Sequence, residues 1–315
     1  MNEKLIVATS PHFHGKVTTS SIMFDVLIAL FPASVAAAWF YGWKAVIIIS
    51  VCIGTAVASE YFFNKICKKK QTVGDMSAIV TGLLLALSLP SKANVWHCIV
   101  GSMFAIIVVK CLFGGIGRNF ANPAVTARVF LLLAFSGTLA GGSQTQFASA
   151  ELVSGATPLA VLKGTAGELP SLLDMLIGNR GGAIGEGCAI ALLIGFVYLL
   201  IRRIITFETP VIYIGTVFIL ALIFKQDLNF ALYYTLGGGL LIGAIFMATD
   251  YVTTPISRVG KVIFALGCAV ITFFIRYFGS MPEGVSFAIL IMNILTPYID
   301  KIGLRKPVGG VKNEK

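Results

Sequence analysis

Ten apolar runs, at roughly 21–40, 44–63, 76–90, 94–111, 124–140, 184–201, 209–224, 230–248, 262–278 and 284–300, fix what this chain can become. A bilayer core of about 30 Å takes about 20 helical residues. Every backbone polar group inside it must be satisfied within the segment or its bundle, which leaves helices as the economical answer. With 57% hydrophobic and only 12% charged residues in 315, too little polar surface remains to cover a water-soluble globule. The expectation is therefore an all-α integral membrane protein with about ten transmembrane helices. The third and seventh runs are short for a full crossing, which predicts broken or bundle-buried helices there.

The formal charge of +10 invites a nucleic-acid reading, but its placement argues against one. If the N-terminus is cytoplasmic, the outer connections hold only Lys44, Lys92, Lys163, Arg180, Lys225 and Arg276. The other Lys and Arg residues, including Lys110, Arg128 and the run KICKKK, gather on the inner side, as topology selection in bacterial inner membranes favours. Both ends are thus expected in the cytoplasm, KICKKK reads as a topology anchor, and the surrounding partner is lipid rather than nucleic acid. No secretory signal is expected before Ser20. The chain divides into a cytoplasmic segment (1–20), a first membrane half (21–140), an extracytoplasmic loop (141–183), a second half (184–300) and a cytoplasmic tail (301–315). Five runs on each side of the loop make any repeat between the halves an inverted one. The local echo between NPAVTARVF and TPISRVGKVIF joins two inner connections and reads instead as two helix breaks of similar chemistry.

Six cysteines without C-x-x-C spacing read as core filler, and His12, His14 and His97 do not form a metal motif. The glycine runs at 114–115 and 237–239 are expected to permit close helix packing. Asp25 and Glu60 are the acidic residues inside apolar runs, where charge is costly. They are candidates for passing an ion, beside the plainer reading that they reach the cytoplasmic interface. Asp75, Asp250 and Asp300 read as caps or boundary charges. Asn119 and Asn122 place two amides at an inner helix break, where they bind a flat polar ligand or satisfy freed backbone groups.

The outer loop carries SGATPLAVLK, in which Thr157 stands among Ser154, Gly155 and Ala156 ahead of Pro158. Small neighbours leave room to esterify an exposed hydroxyl. The same residues also suit a helix start, with threonine as cap and proline at the first helical position.

Together with SPHFHGKVTTSSIM, SAIVTGLLLALSLP, GGIGRNFANPAVTARVFLL, DYVTTPISRVGKVIFALG and IRYFGSMPEGVSFAILIMNILTPYID, this motif gives nearly the whole chain a resemblance to the D subunit of the Rnf electron transport complex. The B subunit of the sodium-pumping NADH:quinone reductase is a more distant relative. The resemblance implies two inverted five-helix halves in a urea-transporter-like fold, and a redox component of an ion-translocating ferredoxin:NAD+ oxidoreductase. It implies FMN joined to Thr157 as a phosphoryl threonine, installed by a flavin transferase that reads D-x-x-[ST]-G-A-T. Glu151 replaces that aspartate here, keeping the carboxylate but lengthening it by one methylene. A noncovalent riboflavin near Asn119 and Asn122, transport of Na+ or H+, and partnership with the A, B, C, E and G subunits of the Rnf complex are implied as well. The rival functions are a urea-transporter-like solute channel or carrier with no redox role, and the B-type component of the quinone reductase. No side chain is expected to act as a catalytic acid, base or nucleophile.

Overall fold

A computed structural model describes residues 18–139, 145, 157–164, 169–279 and 283–303. The described residues are helical, with no β-strand among them. In chain order the α-helices are α1 (Thr19–Tyr41), α2 (Trp43–Ile66), α3 (Ser77–Ser88), α4 (Val95–Met103), α5 (Pro123–Ala134), α6 (Ser136–Leu139) and α7 (Pro158–Leu162). They continue with α8 (Leu172–Ile177), α9 (Ala189–Ile201), α10 (Glu208–Lys225), α11 (Leu228–Leu236), α12 (Leu240–Ile242), α13 (Arg258–Phe278) and α14 (Val285–Gly303).

Five of these, α1, α2, α10, α13 and α14, are long and apolar enough to cross a membrane. A sixth candidate is the pair formed by α11 and Leu240–Met247, bent by 62°. Four further apolar helices are shorter: α3, Val95–Cys111, α5 and α9. The chain is a multi-pass helical membrane protein. The third run is short as expected, its helix α3 having 12 residues. The seventh, also expected to be short, is the full 18-residue α10, and the fifth and sixth runs are curtailed instead. The fifth starts where expected, Asn122 capping α5 by accepting from Ala124 and Val125 N–H with Pro123 at the first position, and is cut short at its other end, where Phe135 leaves helical geometry (φ −129°, ψ 43°) before the short α6.

The glycine runs part from each other. Gly114 and Gly115 have φ of 112° and 94° and turn the chain, while Gly237–Gly239 do both, Gly238 having φ of 56° and an added Cβ there lying 2.5 Å from Leu159 Cδ1 of α7. Close packing also uses Gly82 of α3, where an added Cβ would lie 2.9 Å from Cys52 O of α2. Val95–Met103 runs on into a π-helical stretch, Phe104–Cys111, and a second one, Gly243–Met247, follows α12. Such widened turns leave carbonyls free for other partners and often mark functional positions.

Arg128 is not a free loop charge of the kind the topology count assumes. It is buried and donates to Glu283 at 3.0 Å, in the connection between α13 and α14 that the charge pattern places outside.

Candidate functional site

Thr157 caps α7, its Oγ1 accepting from Ala160 N–H at 3.2 Å, and it is 4% exposed rather than open to water. The helix-start chemistry read from the sequence is thus present. It is compatible with esterification, because an ester oxygen still accepts a hydrogen bond. Ser154, Gly155, Ala156 and Glu151 lie outside the described residues, as do His12 and His14.

Beside α7 opens a cavity of about 690 Å³, to which Leu159, Ala160 and Lys163 contribute one wall. Opposite stand three aromatic rings, Phe230, Tyr234 and Tyr277, with the cations Lys225 and Arg276 among them. Among the described residues no carboxylate lines it. Lys225 Nζ lies 5.7 Å from the ring centroids of both Phe230 and Tyr277, and the Arg276 guanidinium lies 5.5 Å from that of Tyr234. Lys163 donates to Gly279 O at 2.6 Å. Partial desolvation of this otherwise exposed side chain and the neighbouring Arg276 charge pull its pKa below the ordinary lysine value. The chamber combines size, flat aromatic faces and positive charge, the properties that a ringed anionic group requires.

The bend between α11 and α12 lies directly behind this wall. Breaking a helix frees its last carbonyls, which must find new donors. Arg276 donates to Tyr234 O at 2.7 Å and Gly237 O at 3.2 Å, and Arg180 to Leu236 O at 2.6 Å and Glu186 O at 2.5 Å. Loop-by-loop charge counting makes Arg180 and Arg276 outer topology markers, whereas the fold uses both as donors inside the bundle. For Arg276 the missed signal was a charge inside an apolar run, which by itself predicts a buried role. Lys110 and Arg128 carried the same signal.

On the other side of the bundle, Ser77, Lys110, Asn119, Asn122 and Asp250 border a narrow cavity of about 80 Å³. Asn122 is fully engaged. Besides capping α5, its amide approaches Met247 O and Asp250 Oδ2 at 3.4 Å, and its backbone N–H donates to Asn293 Oδ1 at 3.1 Å. Asn119 is different, with a buried Oδ1 that has no partner among the described residues. The structure therefore separates the two amides into one scaffold residue and one open acceptor. Asp250 also accepts from Val252 N–H, the turn-capping part anticipated for it.

The two ion-path candidates differ as well. Asp25 accepts from Tyr198 Oη at 2.8 Å and from Arg202 at 3.1 Å, the arginine side chain being half exposed. Glu60 is buried, accepting from Lys110 Nζ at 2.8 Å and Thr72 Oγ1 at 2.6 Å, while its Oε2 has no partner among the described residues. His97 accepts from Asn94 N–H in a capping box at the start of α4.

A helical membrane protein with short and broken spans meeting at two polar cavities is the class that this fold and site define. The chain belongs to the NQR2, RnfD, RnfE family, whose model matches residues 6–309. It is 44% identical to the D subunit of the Na(+)-translocating ferredoxin:NAD(+) oxidoreductase complex of Acetobacterium woodii, covering 100% of this chain and 99% of that one. It is 38% identical to the D subunit of the proton-translocating ferredoxin:NAD(+) oxidoreductase complex of Clostridium ljungdahlii, covering 94% and 93%. A third relative, the D subunit of the ion-translocating oxidoreductase complex of Methanosarcina acetivorans, is 33% identical, covering 98% of both chains.

Proposed function

We propose that this chain is the D-type membrane subunit of an ion-translocating ferredoxin:NAD+ oxidoreductase complex, passing electrons through FMN attached at Thr157. The observation that carries this reading is 44% identity over the full chain to a protein of that name, with neither the solute-channel nor the quinone-reductase alternative favoured by the relatives. The chamber beside α7 is consistent with it. When bound, FMN would supply reversible electron transfer at its ring. Thr157 would tether it, so that a chamber opening to the outer face does not lose it to water. Lys163 and Lys225 are placed to neutralise its phosphodiester, and Phe230, Tyr234 and Tyr277 offer faces for its ring.

In this reading ten spans form two inverted, urea-transporter-like halves in a bacterial inner membrane, with both termini cytoplasmic and Thr157 on the outer face. The partners are the A, B, C, E and G subunits of the complex, and a flavin transferase for maturation. A noncovalent riboflavin near Asn119 is the second part of the reading. Asn119 Oδ1 suits a ring N–H donor, but the cavity of about 80 Å³ is too small for a flavin ring as it stands, and no electron step is assigned there. The coupled ion is Na+ or H+; one relative is named for each.

The test is in-gel flavin fluorescence of the denatured protein, from cells containing the transferase. Fluorescence that vanishes in Thr157→Ala supports the reading, whereas an unmodified Thr157 peptide in the wild-type protein refutes it.

A further inference from the structure

We infer that Arg276 sets the reduction potential of the redox group held at Thr157, as the buried cation behind its chamber. This rests on the flavin reading above. Of the three cations bordering the chamber, Lys163 and Lys225 are exposed, so water and salt screen their charges. Arg276 is 1% exposed. A charge in that setting acts through a much lower effective dielectric, and its field reaches a neighbouring group with far less loss.

The Arg276 guanidinium is held in place but is not neutralised by direct contact. Its two bonded amino groups go to neutral carbonyls, Tyr234 O and Gly237 O, and its Nε is buried with no partner among the described residues. No carboxylate forms an ion pair with it among the described residues. The carboxyl at the same bend is that of Glu186, whose Oε1 lies 2.9 Å from where a Cβ on Gly239 would sit. Leu159, two residues after Thr157, packs against the same Gly238 that faces Arg276. The tether, the bend and the guanidinium are therefore one packed unit.

Reduction adds negative charge to a flavin ring. A fixed, desolvated cation beside the ring stabilises that charge and raises the potential, and a carboxylate near the cation works against it. Arg276 is thus a positioning residue for the α11–α12 bend and, through its charge, an electrostatic one for the flavin.

The experiment is a spectroelectrochemical titration of the assembled complex, with the attached flavin isolated by subtracting the Thr157→Ala complex. In-gel fluorescence verifies attachment in every variant. Arg276→Met is expected to lower the ratio of reduced to oxidised flavin at fixed applied potential by about ten- to a hundredfold, roughly 30–60 mV for a two-electron couple. Arg276→Lys should recover most of this, and Lys225→Met should move it little. An attached flavin with unchanged potential in Arg276→Met overturns the inference. If that variant fails to fold because the bend loses its donors, Arg276→Gln decides, since it keeps amide donors for the carbonyls of the bend and removes only the charge, and an attached flavin at the wild-type potential in it overturns the inference. A bare Thr157 in the wild-type complex is a separate outcome, which removes the flavin reading itself.

Discussion

Lys110 Nζ lies 2.8 Å from Glu60 Oε1, with both side chains almost wholly withdrawn from solvent. The π-helical stretch at the end of the fourth apolar run delivers the lysine, and the last turns of α2 deliver the glutamate. Ser77 and Thr72 complete the arrangement, at 2.6 Å each. Removing one member leaves a buried charge without compensation. Glu60→Gln or Lys110→Met is expected to cost about 3–5 kcal/mol, and the double variant less than the sum. Thermal unfolding of the four proteins in detergent closes this double-mutant cycle; additive single effects contradict the pairing.

The Asp25–Arg202 pair gives a contrast. Its arginine is 53% exposed, so Arg202→Ala should change stability far less than either buried-pair variant, and salt should erase most of the effect. As ion-path candidates, Asp25 and Glu60 are tested together by ion uptake into vesicles carrying Asp25→Asn or Glu60→Gln complexes. Undiminished ion-dependent pumping removes the residue concerned from the route.

Asn119 and Asn122 should part company under mutation. Asn122→Ala strips the side-chain cap from α5, an expected loss of about 1–2 kcal/mol. Asn119→Leu removes an acceptor without a partner among the described residues, and the melting temperature should hold or rise. Equal destabilisation by both would show that the two amides share one structural task.

Thr157→Ser keeps a hydroxyl and the α7 cap, while Thr157→Ala loses both. The alanine variant should lose all attached flavin, yet cost only about 1 kcal/mol in stability, because capping is the folding interaction its hydroxyl makes among the described residues. A large loss of stability would point instead to a structural threonine.

Gly238→Ala combines a strained φ of 56° with a Cβ 2.5 Å from Leu159 Cδ1 and 3.0 Å from Arg276 Nη2. Destabilisation of about 1–3 kcal/mol is expected from the backbone alone. The change should also disturb the chamber beside Thr157, visible as altered flavin fluorescence.

Much of the membrane framework was legible because hydrophobic run length is a direct reading of bilayer thickness, and α1, α2, α13 and α14 follow their runs closely. The broken elements were harder. Gly237–Gly239 reads equally as a packing surface or a bend, and only the positions of Leu159, Arg276 and Arg180, far along the chain in both directions, show that it is both. Thr157 was legible as a residue with two possible tasks, and its cap is visible in the fold. The chamber was not legible, since Lys163, Lys225, Phe230 and Tyr277 come from separate segments that no spacing rule joins. Charge counting by loop also misled at Arg128, which lies inside an apolar run and is buried against Glu283, so it reports on packing rather than on a side of the membrane.

The end of a half-helix, with its bare carbonyls, is a natural negative pole for a passing cation. In this protein Arg180 and Arg276 occupy that pole at the end of α11, like a plug of fixed positive charge. Sodium or a hydronium ion approaching this bend meets repulsion where an open half-helix would have offered coordination. A cation route through this bend would first have to displace both guanidinium groups from the carbonyls they hold.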